Sequence, residues 1–205
     1  MKNATKHLLL LALVAVVLVW SAINPHDYFT WFLEVVPALL AFVLLCWTYK
    51  RFPLSNFTYG LIALHSIVLI IGGHYTYAEV PLFNYLRDIG IFTRNNYDKV
   101  GHFAQGFFPA IVIREVLVRK SPVPRGAWLS LFILSLCLSI SALYEVIEWW
   151  VAAASGTAGD SFLGTQGYVW DTQSDMLLAL IGAMVALLCL SKLHDHSMKR
   201  SGHIS

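Results

Sequence analysis

The chain has 205 residues, 58% of them hydrophobic and 13% charged, with a mean hydropathy of +0.65 and a formal net charge of +2. Soluble domains average about a quarter charged residues, so a water-surrounded fold of this size has no interior large enough for these apolar side chains, and lipid is the implied solvent. The small net charge, and the lack of a basic tract interleaved with aromatics, exclude a nucleic-acid partner.

A helix needs roughly 20 apolar residues to cross the hydrocarbon. Six runs qualify: 7–23, 28–49, 57–73, 99–118, 128–154 and 175–193. They predict an all-α, polytopic membrane helix bundle occupying residues 1–205 as one domain. The first run follows Lys2 and Lys6 and has no small-x-small cleavage site near Trp20, so it reads as an uncleaved anchor rather than a signal peptide. Between the third and fourth runs, Leu82, Tyr85, Leu86 and Ile89 recur at helical spacing, predicting a short interfacial helix within 81–92.

With six crossings, Lys2, Lys6, Lys50, Arg51, Arg114, Arg119, Lys120, Arg125, Lys192, Lys199 and Arg200 fall on one side. Only Arg87, Arg94 and Lys99 fall on the other. The positive-inside rule then puts both termini in the cytoplasm. Aromatics mark the outer interface: Trp20, Tyr28, Trp31, Tyr75, Tyr77, Tyr97, Trp149, Trp150, Tyr168 and Trp170. Cys46, Cys137 and Cys189 lie inside apolar runs and read as small membrane-embedded side chains rather than a disulfide or a metal site.

The polar residues gather at one end. The third run ends outside at Gly72-Gly73-His74-Tyr75 and the fourth begins there with Asp98, Lys99 and His102. The fifth ends with Glu145 and Glu148, and the sixth begins with Asp171 and Asp175. Asp98 and His102 are four apart, Glu145 and Glu148 three, Asp171 and Asp175 four, so each pair shares a helix face. Facing inward they form a cup of carboxylates with His102 and His74. Its negative charge requires Lys99, a bound cation or shared protons. Three readings stay open. Asp98, Glu145, Glu148, Asp171 and Asp175 with His74 and His102 are a candidate ligand set for a divalent metal that polarises an oxygen and activates water. His102 and the carboxyls are equally a metal-free acid–base set, with Lys99, Gln105 and Tyr75 contacting an amphiphilic substrate. Or the same groups are helix caps and interhelical hydrogen bonds.

Other polar residues read as structural. Glu34 reaches the interface beside the cup, His65 is a hydrogen-bonded core histidine, and Arg114 and Glu115 are interfacial anchors, so no second polar cluster is expected at the cytoplasmic face. The glycine-rich stretch 156–167 is either a headgroup cover or a plain connector.

The blocks GGHYTYAEVP, NNYDKVGHFAQGF, LYEVIEWW and VWDTQSDM, in this order and across nearly the whole chain, resemble the YjdF family of bacterial inner-membrane proteins. The resemblance implies a multi-pass protein of that membrane and no particular activity. A partial likeness to VanZ-like membrane proteins covers Asp98-Lys99 with His102-Phe103, Glu145, and Asp171 or Asp175 ahead of Gly182-Ala183. Glu148 departs from it, since that helix more typically carries a glutamine there. The likeness implies a shared polar site and does not extend to glycopeptide resistance. Taken together, the sequence points to an enzyme on a lipid or amphiphilic envelope precursor, with a small ion-coupled carrier or a non-catalytic membrane binding factor as alternatives.

Overall fold

The computed structural model describes residues 2–155 and 165–204. Among these there are seven helices and no strand: α1 (Lys2–Ser21), α2 (Tyr28–Thr48), α3 (Asn56–His74), α4 (Pro81–Asp88), α5 (Tyr97–Lys120), α6 (Ala127–Ser155) and α7 (Asp171–Arg200). Most of the stretch 156–167 lies outside the described residues. Helices α1, α2, α3, α6 and α7 are each long and apolar enough to cross a membrane. The eight-residue α4 is the short helix expected within 81–92, with no buried residue.

The 24-residue α5 is less apolar, with His102, Gln105, Arg114 and Glu115 along it, yet it runs the same distance. Its start contacts the start of α7, through Lys99 to Asp171 and Asp175, and its far end contacts the far end of α7, through Arg114 to Asp195. The two helices are therefore parallel and cover the same depth. Packing with α3, α6 and α7 hides α5 from lipid along much of its length.

Local chemistry sets the helix ends. Asp27 accepts the Thr30 amide at 2.7 Å and caps α2, and this bond holds its carboxyl below the usual range. Ser55 caps α3 by accepting the Thr58 amide. Asp98 and Asp171 sit in the first turns of α5 and α7, where a carboxylate favours the helix dipole. At the start of α5, Asp98 Oδ1 accepts the Lys99 amide at 2.7 Å and Asn95 Oδ1 the Tyr97 amide at 3.1 Å, whereas the N-cap residue of α7, Trp170, makes no side-chain cap bond.

The α5–α7 pairing is the most extensive in the bundle. Gly106 lies directly on the backbone carbonyl of Ala179, and Gly182 on that of Phe103. A Cβ at either glycine would overlap backbone, which cannot swing away as a side chain can. Small residues allow this approach in membrane bundles, where van der Waals packing replaces the hydrophobic drive. Beside the seam, Ala110, Ile111, Ile133, Cys137, Ala183 and Ala186 form a fully enclosed apolar core. Cys46 and Cys189 are exposed and all three cysteines are free thiols.

Both described chain ends lie at the end of the bundle opposite the starts of α5 and α7. His7 bonds to Tyr49 and Asn56, and Ser197 accepts the Phe57 amide. Gly106→Val or Gly182→Val is expected to cost about 1–3 kcal/mol through overpacking, read as a lowered unfolding midpoint in detergent. Gly60→Ala, in α3 with nothing within 4 Å of an added Cβ, is expected to be neutral or stabilising by up to ~1 kcal/mol. Equal behaviour of the three variants would contradict the close seam.

Candidate functional site

The cup forms where α5, α6 and α7 bring their polar ends together, with α2 and α3 closing its side through Glu34 and His65, and it has two layers. In the outer layer, Arg94 precedes α5 by less than a turn. Its Nη2 donates to Asp98 Oδ2 at 2.6 Å and to Asp171 Oδ1 at 2.8 Å, while its Nη1 donates to the Thr165 carbonyl at 2.6 Å. Lys99 Nζ donates to Asp171 Oδ1 at 2.9 Å and Asp175 Oδ1 at 2.8 Å. The Tyr168 ring stands 5.3 Å from both cations. Asn95, fully buried, fixes this layer by donating to Asn84 Oδ1 and the Val80 carbonyl while its carbonyl accepts from Gln166.

The inner layer surrounds a cavity of about 160 Å³ lined by Glu34, His65, Tyr77, Asp98, His102, Gln105, Tyr144, Glu148, Asp171 and Asp175, with Pro37 and Pro109 in its wall. Each proline removes the amide donor for the carbonyl one turn earlier, adding backbone polarity beside the cavity. His102 Nδ1 lies 3.3 Å from Gln105 Oε1, and if it donates there, Nε2 is left as an acceptor. His102 also stands 3.9 Å from Glu145 Oε1 and 3.9 Å from Asp175 Oδ2. Glu145 is 9% exposed, and its Oε1 has no hydrogen-bond partner among the described residues. Tyr144 donates to Glu34 Oε2 at 3.4 Å.

Two triads can gather ligand atoms within 4.8 Å of one another: His102, Glu145 and Asp175, and Asp98, Asp171 and Asp175. They differ in character. The second is already occupied by the side chains of Arg94 and Lys99. The first mixes an imidazole nitrogen with two carboxylate oxygens, one unpartnered, which suits a transition metal or zinc with open positions for water or substrate.

Charge makes the arrangement consequential. Six carboxyls, Glu34, Asp98, Glu145, Glu148, Asp171 and Asp175, are all below 10% exposed. Two fixed cations, Arg94 and Lys99, face them, and both are engaged by the aspartates. Among the described residues, the glutamates have no fixed cation. Buried carboxylates without a counter-charge take up protons or bind a cation, so the inner layer is a proton or cation reservoir by composition.

The structure brings together Asp98, Lys99, His102, Gln105, Glu145, Glu148, Asp171 and Asp175 as the sequence spacing predicts. It separates His74 and Tyr75 from them. His74 Nδ1 bonds the Ser21 carbonyl at 2.9 Å and its ring packs against Trp20 and Tyr75, tying α3 to the end of α1. Glu34, read as reaching the interface more readily than joining the cup, lines the cavity. His65, expected to be hydrogen-bonded, is half-buried and stacks on Phe108, with its Nε2 enclosed and unpartnered among the described residues. Tyr77 and Tyr97, expected in the outer aromatic belt, are buried, at 8% exposure each. Tyr77 fills a slot over Gly72 and Gly101, where any Cβ would strike its ring.

Arg94 escaped the sequence reading, although its i,i+4 spacing to Asp98 was visible. A larger correction lies at the opposite end. Arg114 and Glu115 are buried rather than interfacial anchors, at 6% and 0% exposure. Glu115 accepts from the Ser55 amide at 2.7 Å and from Arg119 at 2.7 Å, bonds the Thr58 hydroxyl, and faces His194 Nε2 at 3.1 Å and His203 Nδ1 at 3.3 Å. Arg114 reaches His194 Nδ1 at 3.0 Å and Asp195 at 2.8 Å. The bundle therefore has a second polar cluster, but one in which the charges are matched.

Residues 6–196 match the family model described as a predicted membrane protein, DUF2238. The chain belongs to this family. A relative described as inner membrane protein YjdF, from Escherichia coli (strain K12), is 45% identical over 193 residues, covering 94% of this chain and 92% of that protein. No solved structure matches. A membrane helix bundle fits both descriptions, and neither names a reaction.

Removing Arg94 should expose the cost of the outer carboxylates. Arg94→Met is expected to destabilise by about 3 kcal/mol, because it leaves Asp98 and Asp171 buried with a shared partner lost. The double variant Arg94→Met/Asp171→Asn should lose less than the sum of the two single variants, measured as a coupling energy from unfolding midpoints in detergent. Strict additivity would show that the pair is not coupled.

Proposed function

We propose that the chain is a membrane-embedded enzyme acting on a lipid or other amphiphile at the periplasmic leaflet, with both termini cytoplasmic. The charge partition of the loops supports the orientation. The observation that carries the chemistry is Glu145 Oε1, enclosed and without a hydrogen-bond partner among the described residues, beside His102 and Asp175 and next to a cavity whose glutamates face no fixed counter-charge among those residues.

Hydrolysis or group transfer at an ester or phosphoryl centre fits these groups. A divalent cation held by His102, Glu145 and Asp175 would polarise the electrophilic oxygen and lower the pKa of a bound water. Glu148, on the same face of α6 as Glu145 and lining the cavity, is placed to take the proton from the attacking water and return it to the leaving oxygen. Gln105 holds His102 in one tautomer. Lys99, bridging Asp171 and Asp175, holds their carboxylates in place and offers positive charge to an anionic head. The cup opens at the aromatic-rich end, where the exposed Trp149, Trp150 and Trp170 favour the headgroup level.

A second reading, a proton-coupled carrier, has one observation in its favour. His65 is half-buried in the cavity wall with its Nε2 enclosed and unpartnered among the described residues, and a second ionisable cluster around Glu115 and His194 lies at the opposite end of α5. Carriers place ionisable side chains along such a route.

Elemental analysis of the purified full chain separates the alternatives. Stoichiometric zinc or manganese is expected, lost in Glu145→Gln/Asp175→Asn while the unfolding midpoint shows a folded bundle. Turnover of a phospholipid and isoprenyl-phosphate panel should fall roughly 10²–10⁴-fold in Glu148→Gln. Undiminished turnover in that variant would sink the enzymatic assignment, and proton-driven uptake into vesicles, abolished by Asp98→Asn, would replace it with the carrier.

A further inference from the structure

A second concavity lies far from the cup. Helices α1 and α2 are consecutive, yet each packs chiefly on α3 rather than on the other. A groove of about 470 Å³ stays open between them, walled by Leu8, Leu11, Val14, Phe42, Leu45 and Ala63. Its volume falls within the roughly 300–1,000 Å³ of small-molecule sites. Along α1 it extends from Ala4 to Val14, about 15 Å at 1.5 Å per residue, or half of the ~30 Å hydrocarbon. It therefore matches the depth of a single leaflet, on the side where the chain ends lie.

The groove has one polar end. There His7 Nδ1 meets the Tyr49 hydroxyl at 2.8 Å and His7 Nε2 meets Asn56 Oδ1 at 2.7 Å. Lys6 precedes His7, and Lys50 and Arg51 follow Tyr49, all three exposed. Residues 1–26 and 35–78 contain no aspartate or glutamate. Among the described residues no carboxylate lies within ion-pairing distance of these three cations. Positive charge at this mouth is thus uncompensated, unlike the matched cluster around Glu115.

We propose that the groove binds an anionic phospholipid of the leaflet on the terminus-bearing side, one acyl chain lying between α1 and α2 and the phosphate seated among Lys6, Lys50 and Arg51. The apolar wall supplies chain contact, and the cations select the head by charge. A second copy of the chain is the poorer occupant. A two-fold contact through this face would bring the same basic cluster of each copy together at the same depth.

Native mass spectrometry of the full chain, released from detergent supplemented with phosphatidylglycerol or with phosphatidylcholine of matched chains, tests this. Phosphatidylglycerol is expected to be retained preferentially, by roughly fivefold for each basic residue at about 1 kcal/mol apiece. Lys6→Gln/Lys50→Gln/Arg51→Gln should abolish the preference. Leu11→Trp, which fills the groove from a lipid-facing position, should lower retention with the unfolding midpoint kept. Val14→Phe gives a second filled groove should Leu11→Trp fail to fold. Equal retention of the two lipids overturns the proposal, as does a preference that survives the triple substitution. Retention that is unchanged in both filled-groove variants also overturns it, by placing the lipid in the general boundary layer. A lipid-free dimer would assign the face to a second copy instead.

Discussion

Two glycines meeting two carbonyls hold the structure in register. Gly106 on Ala179 and Gly182 on Phe103 bring the backbones of α5 and α7 closer than any side chain would permit. At that distance, and with the helices parallel, the first turn of α5 lies beside the first turn of α7, so Lys99 can span Asp171 and Asp175. At the other end of the same helices, Arg114 reaches His194 and Asp195. Both polar clusters are products of one seam. In lipid, where association gains nothing from expelling water, a backbone-to-backbone contact of this kind is a strong way to fix two helices.

The two clusters are built on opposite principles. Around Glu115, nearly every atom that could carry charge has a partner, and the residues reach it from α5, α7 and the turn before α3. Such a network locks the bundle and leaves little capacity for chemistry, because taking any member away strands another in a dry interior. The cup is partly matched in its outer layer and unmatched in its inner layer. Arg94 and Lys99 pair with Asp98, Asp171 and Asp175, two cations against three carboxyls, while Glu34 and Glu148 line a cavity with His65 and His102, and Glu145 stands beside His102, with no fixed cation among the described residues. Stability would favour removing those glutamates or pairing them. Their presence in the interior is what the proposed reading, a site for binding or proton exchange, accounts for.

The sequence makes the bundle legible because lipid imposes length and hydropathy on each span, and because basic loops partition cleanly between two sides. The cup was legible for the same kind of reason: i,i+3 and i,i+4 spacing is a property of a single helix, and it correctly gathered Asp98, His102, Glu145, Glu148, Asp171 and Asp175. What the sequence hid depends on contacts between distant segments. Glu115 and His194 are 79 positions apart, and nothing local to either foretells their meeting, so the pair Arg114–Glu115 resembled ordinary interfacial charges. His74 was counted into the cup by its place at the end of α3, but a bond to the Ser21 carbonyl turns it toward α1. Tyr77 enters the bundle because Thr76 and Tyr77 both take left-handed backbone angles, at φ 54° and 56°. That conformation is rare outside glycine, asparagine and aspartate, and no residue pattern announces it.

The slot over Gly72 and Gly101 has a wider meaning through the size of the space that the Tyr77 ring helps to close. At about 160 Å³ the cavity is well below the roughly 300–1,000 Å³ that encloses a drug-sized molecule. A whole lipid has no room there; one head does. On the enzymatic reading, recognition is confined to that head, and the hydrocarbon remains dissolved in the bilayer, outside the protein's view. Molecules sharing a head but differing in tail length or unsaturation would then count as one substrate, so that discrimination among them falls to the composition of the membrane and not to the bundle.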